Sequence, residues 1–293
     1  MALRFDLSLE ARYGEPIVLS PLVSRLLASN PGIFTFKGTG VYLIGRDPVA
    51  VIDPGPDLPA HREALERTLA GRRVSHILVT HTHNDHSPAA AWLKAWSGAP
   101  TYGFGPHPTA SGDVEAGGDR TFMPDIFVRD GERIAGEGFS FTAVHTPGHI
   151  SNHLCFALEE EAALFCGDHV MGWSTSVIAP PDGDMADYMA SLEKLLARDD
   201  RILYPTHGSP IRDPKAFIAD YLAHRKTRET QVIECLAQGV ATPEAMVPLI
   251  YKDLDPALYP AAALSLTAHL IKLEKEGQAE QRDGHYRLSR QAS

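Results

Sequence analysis

The segment His81-Thr-His83-Asn-Asp85-His86 follows directly after an apolar run at residues 74–79. Three imidazoles and one carboxylate so close together are hard to explain by packing, because such side chains are ligands of zinc and related ions. If the apolar run is a strand, His81 and His83 alternate at its end and project toward one side. The following turn lets Asp85 and His86 approach the same cavity from another direction. The segment therefore predicts a metal site at the end of a strand.

Three further candidate ligands come later in the chain, each just after a short apolar segment that a Gly or Pro ends. Loops at strand ends are where rigid scaffolds place reactive side chains. Taken singly, each residue also has an ordinary explanation as a loop or turn residue, but their recurrence in one context favours a shared site. They are His149 after residues 139–144, Asp168 after residues 162–166 and His207 after residues 201–204.

Together these residues resemble the pattern of the metallo-beta-lactamase superfamily, a His-x-His-x-Asp-His box followed by a single His, a bridging Asp and a final His. The resemblance covers roughly the first three-quarters of the chain. It implies two divalent metal ions as cofactors, with zinc the favoured metal. It implies that His81, His83 and His149 hold one ion, that Asp85, His86 and His207 hold the second, and that Asp168 bridges both.

The resemblance and the alternation of strands with helices imply an α/β fold, a four-layered αββα sandwich with a small C-terminal winged-helix-like domain. We expect the catalytic domain to span residues 1–230 and the terminal domain residues 231–293. Residues 40–44 and 49–53 resemble the opening hairpin of the family. For Asp53, which ends that hairpin, a place beside the metal box and a plain turn-capping role both remain open.

Helix boundaries are predicted from capping residues. Ser87-Pro88 has the pattern of an N-cap and first helical position, and Asp187 is a candidate cap for the next clear helix. The basic group Arg225, Lys226 and Arg228 is expected on the solvated face of a later helix, with a phosphate-binding role as the alternative. Cys155 and Cys166 lie in apolar runs and are expected to be buried thiols.

The C-terminal residues predict two helices followed by a hairpin, which is the order of a winged helix. The first helix begins at Thr242-Pro243, and the second covers residues 261–276. Asp283-Gly284 is a typical two-residue hairpin turn. Lysines alternate with glutamates near the end of the second helix, so it is not strongly basic. We therefore favour a structural or substrate-guiding module over a sequence-specific DNA reader.

A closer resemblance is to the beta-lactamase-like endoribonuclease branch and its bacterial members, some of which act on single-stranded RNA. It is carried by residues 221–229, 167–172 and 180–184. One departure is Thr206, where that branch often has Gly before the last His. The ligand His207 is retained, so we expect metal binding to be preserved.

Composition limits the partners and the compartment. The net charge of −10 weighs against a simple nucleic-acid reading, because phosphate backbones draw on Lys and Arg for affinity. Three scattered cysteines suit a reducing cytoplasm. We see no secretory leader and no apolar run long enough to span a membrane, so a cytoplasmic protein without membrane contact is expected. The oligomeric state is not predicted.

The ligand set predicts a binuclear metal-dependent hydrolase that uses a metal-bridging hydroxide. Asp168 would set the metal separation, and Asp85 would orient the nucleophile or relay its proton.

The preferred substrate is a phosphodiester such as single-stranded RNA; the alternative is a small-molecule thioester or carboxylic ester, as for glyoxalase II. A beta-lactam is less favoured, because Asp168 stands where many such enzymes use Cys. A DNA-binding regulator with a structural metal is a non-enzyme alternative, but structural zinc has four closed ligands whereas seven candidates occur in this chain.

Overall fold

A computed structural model describes residues 3–108 and 117–289 of the chain. Within these ranges the backbone forms two β-sheets and a two-stranded ribbon near the C-terminus. The seven-stranded sheet holds, in spatial order, β1 (Ile17–Val18), β2 (Val23–Leu27), β3 (Gly40–Ile44), β4 (Val49–Ile52), β5 (Val74–Leu78), β6 (Thr101–Gly103) and β7 (Ile126–Phe127). The five-stranded sheet holds β8 (Arg133–Ala135), β9 (Ser140–His145), β10 (Leu154–Leu158), β11 (Ala163–Gly167) and β12 (Ile202–Pro205). The ribbon pairs β13 (Ala279–Arg282) with β14 (His285–Leu288).

The same part of the chain contains six α-helices. Two follow strands of the first sheet, two follow strands of the second, and two belong to the C-terminal module. They are α1 (Pro59–Leu69), α2 (Ala89–Ser97), α3 (Met185–Leu196), α4 (Pro214–Ala237), α5 (Pro243–Ile250) and α6 (Tyr259–Lys275).

Strand direction brings the loops of interest to common edges. In the first sheet β3 and β4 form the expected antiparallel hairpin, and β4 and β5 run parallel, so the loops after β4 and β5 leave at one edge. In the second sheet β10 is antiparallel to both β9 and β11, while β11 is parallel to β12. Strands β9, β11 and β12 therefore share one direction, and the loops after all three leave at the same edge.

The sheets pack face to face because their strands alternate between two apolar faces. On β3, Tyr42 and Ile44 join a cluster with Phe141 and Phe156 of the second sheet. The intervening residue Leu43 instead packs with the buried face of α1. Each large apolar side chain buried in this way contributes roughly 1.5–3 kcal/mol.

The outer face of the second sheet is covered by α3 and α4. Tyr188 and Leu192 of α3 and Tyr221 of α4 share a buried cluster with Cys155 of β10. The two helix layers and two sheets give the predicted four-layered αββα sandwich. Cys155, Cys166 and Cys235 are buried free thiols, as expected for the first two.

Two predicted caps differ in the structure. Ser87 does not cap α2, because its hydroxyl donates to Asp119 Oδ2 at 2.7 Å and Pro88 occupies the cap position. Asp187 does not cap α3, because Asp184 accepts hydrogen bonds from the amides of residues 186 and 187 and starts the helix at Met185. At α2 a tertiary contact holds the polar side chain of Ser87 elsewhere, and at α3 the earlier extended residue Asp184 supplies the cap.

The C-terminal module has the predicted elements. Thr242 caps α5, α6 follows, and Asp283 and Gly284 form the turn of the ribbon with φ of 50° and 78°. The core of the module includes Val232 from the end of α4, so α4 runs through the expected boundary at residue 230 into the module. That boundary stays a prediction.

The solvated face expected for the basic group of α4 is wrong for Arg225. This side chain is only 2% exposed, whereas the side chain of Lys226 is 58% exposed. Arg225 lies on the helical stripe of Ile218, Tyr221 and Leu222, so it faces the protein. None of the helices within residues 3–108 and 117–289 combines the length and hydrophobicity needed to cross a bilayer.

Candidate metal centre

The histidine-rich segment forms the loop that follows β5. Asp53, just after β4, accepts hydrogen bonds from the amide and the hydroxyl of Thr80, each at 2.7 Å. These bonds fix the start of the loop. The loop then turns where the amide of His86 donates to the carbonyl of His83 at 3.0 Å. The turn directs all four candidate ligands of this segment into the protein interior, where the most exposed is His83.

The other three candidate ligands lie in loops at the shared edge of the second sheet. His149 follows β9, Asp168 follows β11 and His207 follows β12. Gly148 allows the first of these loops to touch α3, since a Cβ at this position would lie 2.3 Å from the backbone of Tyr188. Its φ of 126° is also a conformation that only glycine adopts readily.

The structure brings all seven candidate ligands into one cluster of three overlapping groups. Within each group the potential ligand atoms lie within 4.8 Å of one another. Asp168 lies in the group that joins the other two groups, because its partners His81 and His86 each belong to one of them. The groups are His81 with His83 and His149, His81 with His86 and Asp168, and Asp85 with His86 and His207.

Distances between potential ligand atoms are short across the cluster. In the group of His81, His83 and His149, Nδ1 of His83 lies 2.9 Å from Nε2 of His81 and 3.2 Å from Nε2 of His149. In the group of Asp85, His86 and His207, Nε2 of His207 lies 3.1 Å from Asp85 Oδ2. The Oδ2 atom of Asp168 lies 3.4 Å from Nε2 of both His86 and His207.

Two buried atoms of the cluster show that a non-protein partner fits the site. Nε2 of His86 and Oδ1 of Asp168 form no hydrogen bond with any residue that the structure describes. Buried polar atoms are almost always hydrogen-bonded, so these two indicate a missing partner. Imidazole nitrogens with carboxylate oxygens are the donor set that zinc and related divalent ions take. The residues present therefore fit a pair of divalent cations.

Electrostatics in the first group favour neutral imidazoles. Burial lowers the pKa of His81 well below its usual value and lowers the pKa of His83 to about 3. Neighbouring imidazoles act in the same direction as burial on the pKa of both side chains. Both rings are therefore neutral at pH 7, which is the form of histidine that binds a metal ion.

The negative charge of the cluster lies on Asp85 and Asp168, beside His86 and His207. Burial opposes ionisation of His207, but the carboxylates of Asp168 and Asp85 raise its pKa to about 10. Burial likewise opposes the charge on Asp168, yet the facing imidazoles of His207 and His86 hold its pKa well below the usual range. Two anionic carboxylates thus face the cluster, where they would neutralise bound cations.

Hydrogen bonds on the far side of several rings orient the cluster. His86 Nδ1 lies 2.9 Å from Asp53 Oδ2, His149 Nδ1 lies 2.8 Å from the Val177 carbonyl, and His207 Nδ1 lies 3.2 Å from the Gly38 carbonyl. Each bond leaves Nε2 pointing into the cluster, and such partners tune a metal ligand. Asp53 therefore both fixes the loop after β5 and orients His86, so neither of the alternatives left open by the sequence is sufficient alone.

Two other histidines near the site, His153 and His169, belong to none of the three groups. His153 Nε2 accepts a hydrogen bond from the Asp168 amide at 3.3 Å, and its Nδ1 lies 2.8 Å from Thr146 Oγ1. His169 makes no side-chain hydrogen bond with the described residues and packs against Tyr188, with ring centroids 4.5 Å apart. Hydrogen bonding and packing, rather than ligation, account for their positions.

A cavity of about 130 Å³ opens onto the cluster. Its other walls are largely apolar, with Phe34, Met171 and Trp173 from the sandwich and Leu258 and Ala261 from the C-terminal module. The module therefore supplies one wall of the cavity. Five candidate ligands line the cavity: His83, Asp85, His149, Asp168 and His207.

We expect Asp53→Asn to weaken binding of one metal ion by about 10–100-fold, the usual effect of losing a hydrogen-bonded partner of a ligand. The physical reason is that His86 loses the carboxylate that orients its ring. Competition with a chelator measures the affinity. Asp57→Asn is the matched control, because Asp57 pairs with Arg62 at the surface. Equal affinity in the Asp53 variant and the unmodified protein would show that Asp53 does not support the ligand.

Comparison with known proteins adds to this geometry. Residues 35–207 match the profile of the Metallo-beta-lactamase superfamily, and residues 242–287 match that of the Beta-lactamase associated winged helix domain. The first range contains all seven candidate ligands.

Similar individual proteins were found by sequence and among solved structures. An atrochrysone carboxyl ACP thioesterase from Cryptosporiopsis sp. (strain 8999) is 35% identical over 231 residues, covering 78% of this chain and 67% of the relative. The Beta-lactamase-like protein 2 homolog of Drosophila melanogaster is 33% identical over 270 residues, covering 88% of this chain and 90% of the relative. A beta-lactamase domain protein from Burkholderia ambifaria has a TM-score of 0.81 at 21% identity over 96% of both chains, which is a likeness of fold.

Proposed function

The chain belongs to the metallo-beta-lactamase superfamily, as a metallo-hydrolase with an associated winged-helix domain, and from this premise we propose that it hydrolyses thioesters of small acyl groups. The proposal rests mainly on the cavity. The candidate metal ligands lie at one end of it, and apolar side chains form most of the rest. An acyl chain can be buried against such walls while its carbonyl faces the metal cluster.

The same cavity weighs against single-stranded RNA, the substrate that the sequence favoured. Arg225 is the one Lys or Arg among the described residues that line it. A polyanion draws its affinity from many such side chains, and the chain as a whole repels it with a net charge of −10. The similarity to an acyl-carrier-protein thioesterase also supports ranking a thioester above RNA as the substrate. The endoribonuclease branch thus becomes the second candidate.

We assign the seven clustered side chains as metal ligands. When bound, a pair of divalent ions would lower the pKa of a water molecule and polarise the substrate carbonyl. Asp168, between the two groups, would hold both ions, and Asp85 would accept the proton of the attacking water. The apolar walls would position the acyl group and limit access of bulk water.

Zinc remains our favoured metal, since imidazole nitrogens dominate the ligand set. Elemental analysis of purified protein tests this assignment. We also keep the cytoplasm as the proposed compartment, on the ground of the buried free thiols. Fractionation of the native host cells tests the compartment.

A paired substrate assay tests the proposed function. Metal-loaded protein is expected to release thiol from an acyl N-acetylcysteamine thioester at least tenfold faster than it cleaves unstructured RNA of equal concentration. Protein treated with a chelator is expected to lose the thioesterase activity and regain it on addition of zinc. Rapid cleavage of RNA together with inertness toward a range of thioesters would restore the original order of substrates.

A further inference from the structure

We propose that Arg225 is a substrate-binding residue that recognises a carboxylate on the acyl part of the substrate. The inference about binding stands on Arg225 and the cavity; its consequence for catalysis rests on the proposed thioesterase function. The substrate class is thus an acyl thioester whose acyl group carries an additional carboxylate.

The first argument is the state of the guanidinium itself. Arg225 is only 2% exposed. Within residues 3–108 and 117–289 its guanidinium donates to the neutral carbonyl of Ser176, not to a carboxylate. Its Nε–H has no hydrogen-bond acceptor within the same residues. An arginine remains charged in a protein, and a buried charge without a counterion is strongly unfavourable. An anion bound in the cavity beside the guanidinium would supply the missing countercharge.

The second argument is the place of this charge. Arg225 lines the cavity that Asp85 and His149 also line, so a ligand in the cavity can face the metal cluster and the guanidinium together. The walls near the C-terminal module are apolar, with Tyr251, Leu254 and Leu258. A ligand that matches the cavity is therefore apolar along most of its length and anionic where it meets Arg225.

The number of cations favours a carboxylate over a phosphate group. One guanidinium can bind one carboxylate through two parallel N–H···O bonds. A phosphomonoester carries more charge, and a nucleic-acid chain needs a series of cations along its backbone. No second Lys or Arg is found among the described residues that line this cavity.

The remaining contacts of Arg225 hold it in position. One terminal nitrogen donates to the Ser176 carbonyl, and the guanidinium carbon lies 5.0 Å from the ring centroid of Tyr188. Ser176 in turn donates its hydroxyl to the Asp168 carbonyl at 2.5 Å. These contacts fix the guanidinium before a ligand arrives, which reduces the entropy lost on binding. They do not use Nε.

Binding of product analogues to metal-loaded protein tests the inference without turnover. Dicarboxylates of four to six carbons are compared by calorimetry with monocarboxylates of the same length. Both kinds carry one carboxylate for the metal cluster, so their difference reports the second carboxylate. We expect one dicarboxylate to bind at least tenfold tighter than its monocarboxylate partner. We expect Arg225→Met to remove this preference, and Lys226→Met, which removes an exposed charge from the same helix, to retain it.

Two further measurements keep the test decisive. Arg225→Lys keeps the charge and is expected to retain part of the preference, so a general structural loss can be told from the loss of a cation. Equal binding of dicarboxylates and monocarboxylates by the unmodified protein would overturn the inference even if no variant folds. Tighter binding of dimethyl phosphate than of any dicarboxylate would also overturn it, in favour of a phosphodiester.

Kinetics separate this inference from the proposed function. We expect kcat/KM for a carboxyacyl N-acetylcysteamine thioester to exceed that of the methyl-ended analogue by at least tenfold, and the ratio to fall to about one in Arg225→Met. If no thioester is cleaved while the dicarboxylate preference depends on Arg225, the proposed function fails and the binding inference stands. If the unmodified protein cleaves both thioesters equally well, the proposed function stands and the inference about Arg225 fails.

Discussion

Replacing Asp168 with asparagine is expected to reduce bound metal from two ions per chain to one and to lower kcat for thioester hydrolysis by about 1000-fold. Oδ2 of Asp168 lies 3.4 Å from Nε2 of both His86 and His207, and Asp168 also shares a group with His81. An amide keeps the shape of the side chain but loses the negative charge that two cations would share. The loss corresponds to about 4 kcal/mol of transition-state stabilisation, since 1.36 kcal/mol is tenfold in rate.

Metal analysis and steady-state kinetics on the same preparation measure both effects. The fold is expected to survive, because Oδ1 of Asp168 has no hydrogen bond to a described residue that the change could break. Circular dichroism checks the fold. Asp187→Asn removes one carboxylate from the exposed surface of α3 and serves as the control. Two tightly bound ions and near-normal turnover in the Asp168 variant would exclude Asp168 as the shared ligand.

Replacing Ala261 with phenylalanine is expected to lower kcat/KM for thioesters by about 100-fold while leaving two bound metal ions. Ala261 is a buried residue near the start of α6 and lines the cavity. A phenyl group at this position would occupy space in a cavity of about 130 Å³. The expected loss equals about 2.7 kcal/mol of transition-state binding. The metal ligands lie on other elements and would keep their positions.

Leu264→Phe is the matched control, because Leu264 lies on the same helix, is half-buried and does not line the cavity. Kinetics with one short and one long acyl thioester refine the test, since the longer substrate should suffer more. Unchanged kcat/KM in the Ala261 variant would mean that substrate does not enter beside the C-terminal module.

The candidate ligands could be found from sequence because each follows a strand that its apolar residues predict. Once β9, β11 and β12 share one direction, His149, Asp168 and His207 must meet at one edge. The hairpin of β3 and β4 was expected from the resemblance to the family. The winged-helix elements were predictable because their helical period, cap and turn residues are local signals. The roles of these ligands stay proposals until metal is measured.

Features that depend on tertiary packing could not be found in the same way. The charge of Arg225 suggested a solvated position, but its spacing of three and four residues from Leu222 and Tyr221 places it on the buried stripe of α4. That spacing was the available signal. The double role of Asp53 depends on two loops that meet only after β4 and β5 pair. The two cap predictions were wrong because the contact of Ser87 with Asp119 and the extended backbone at Asp184 exist only in the folded chain.

The contribution of α6 to the cavity separates two properties of the molecule. Every candidate ligand belongs to the sandwich, whereas part of the wall that an acyl group would touch belongs to the C-terminal module. Grafting α6 from a relative onto this chain should therefore change substrate preference while the reactivity of the centre is preserved. On this expectation, changes confined to α6 would alter selectivity and leave the ligand set intact.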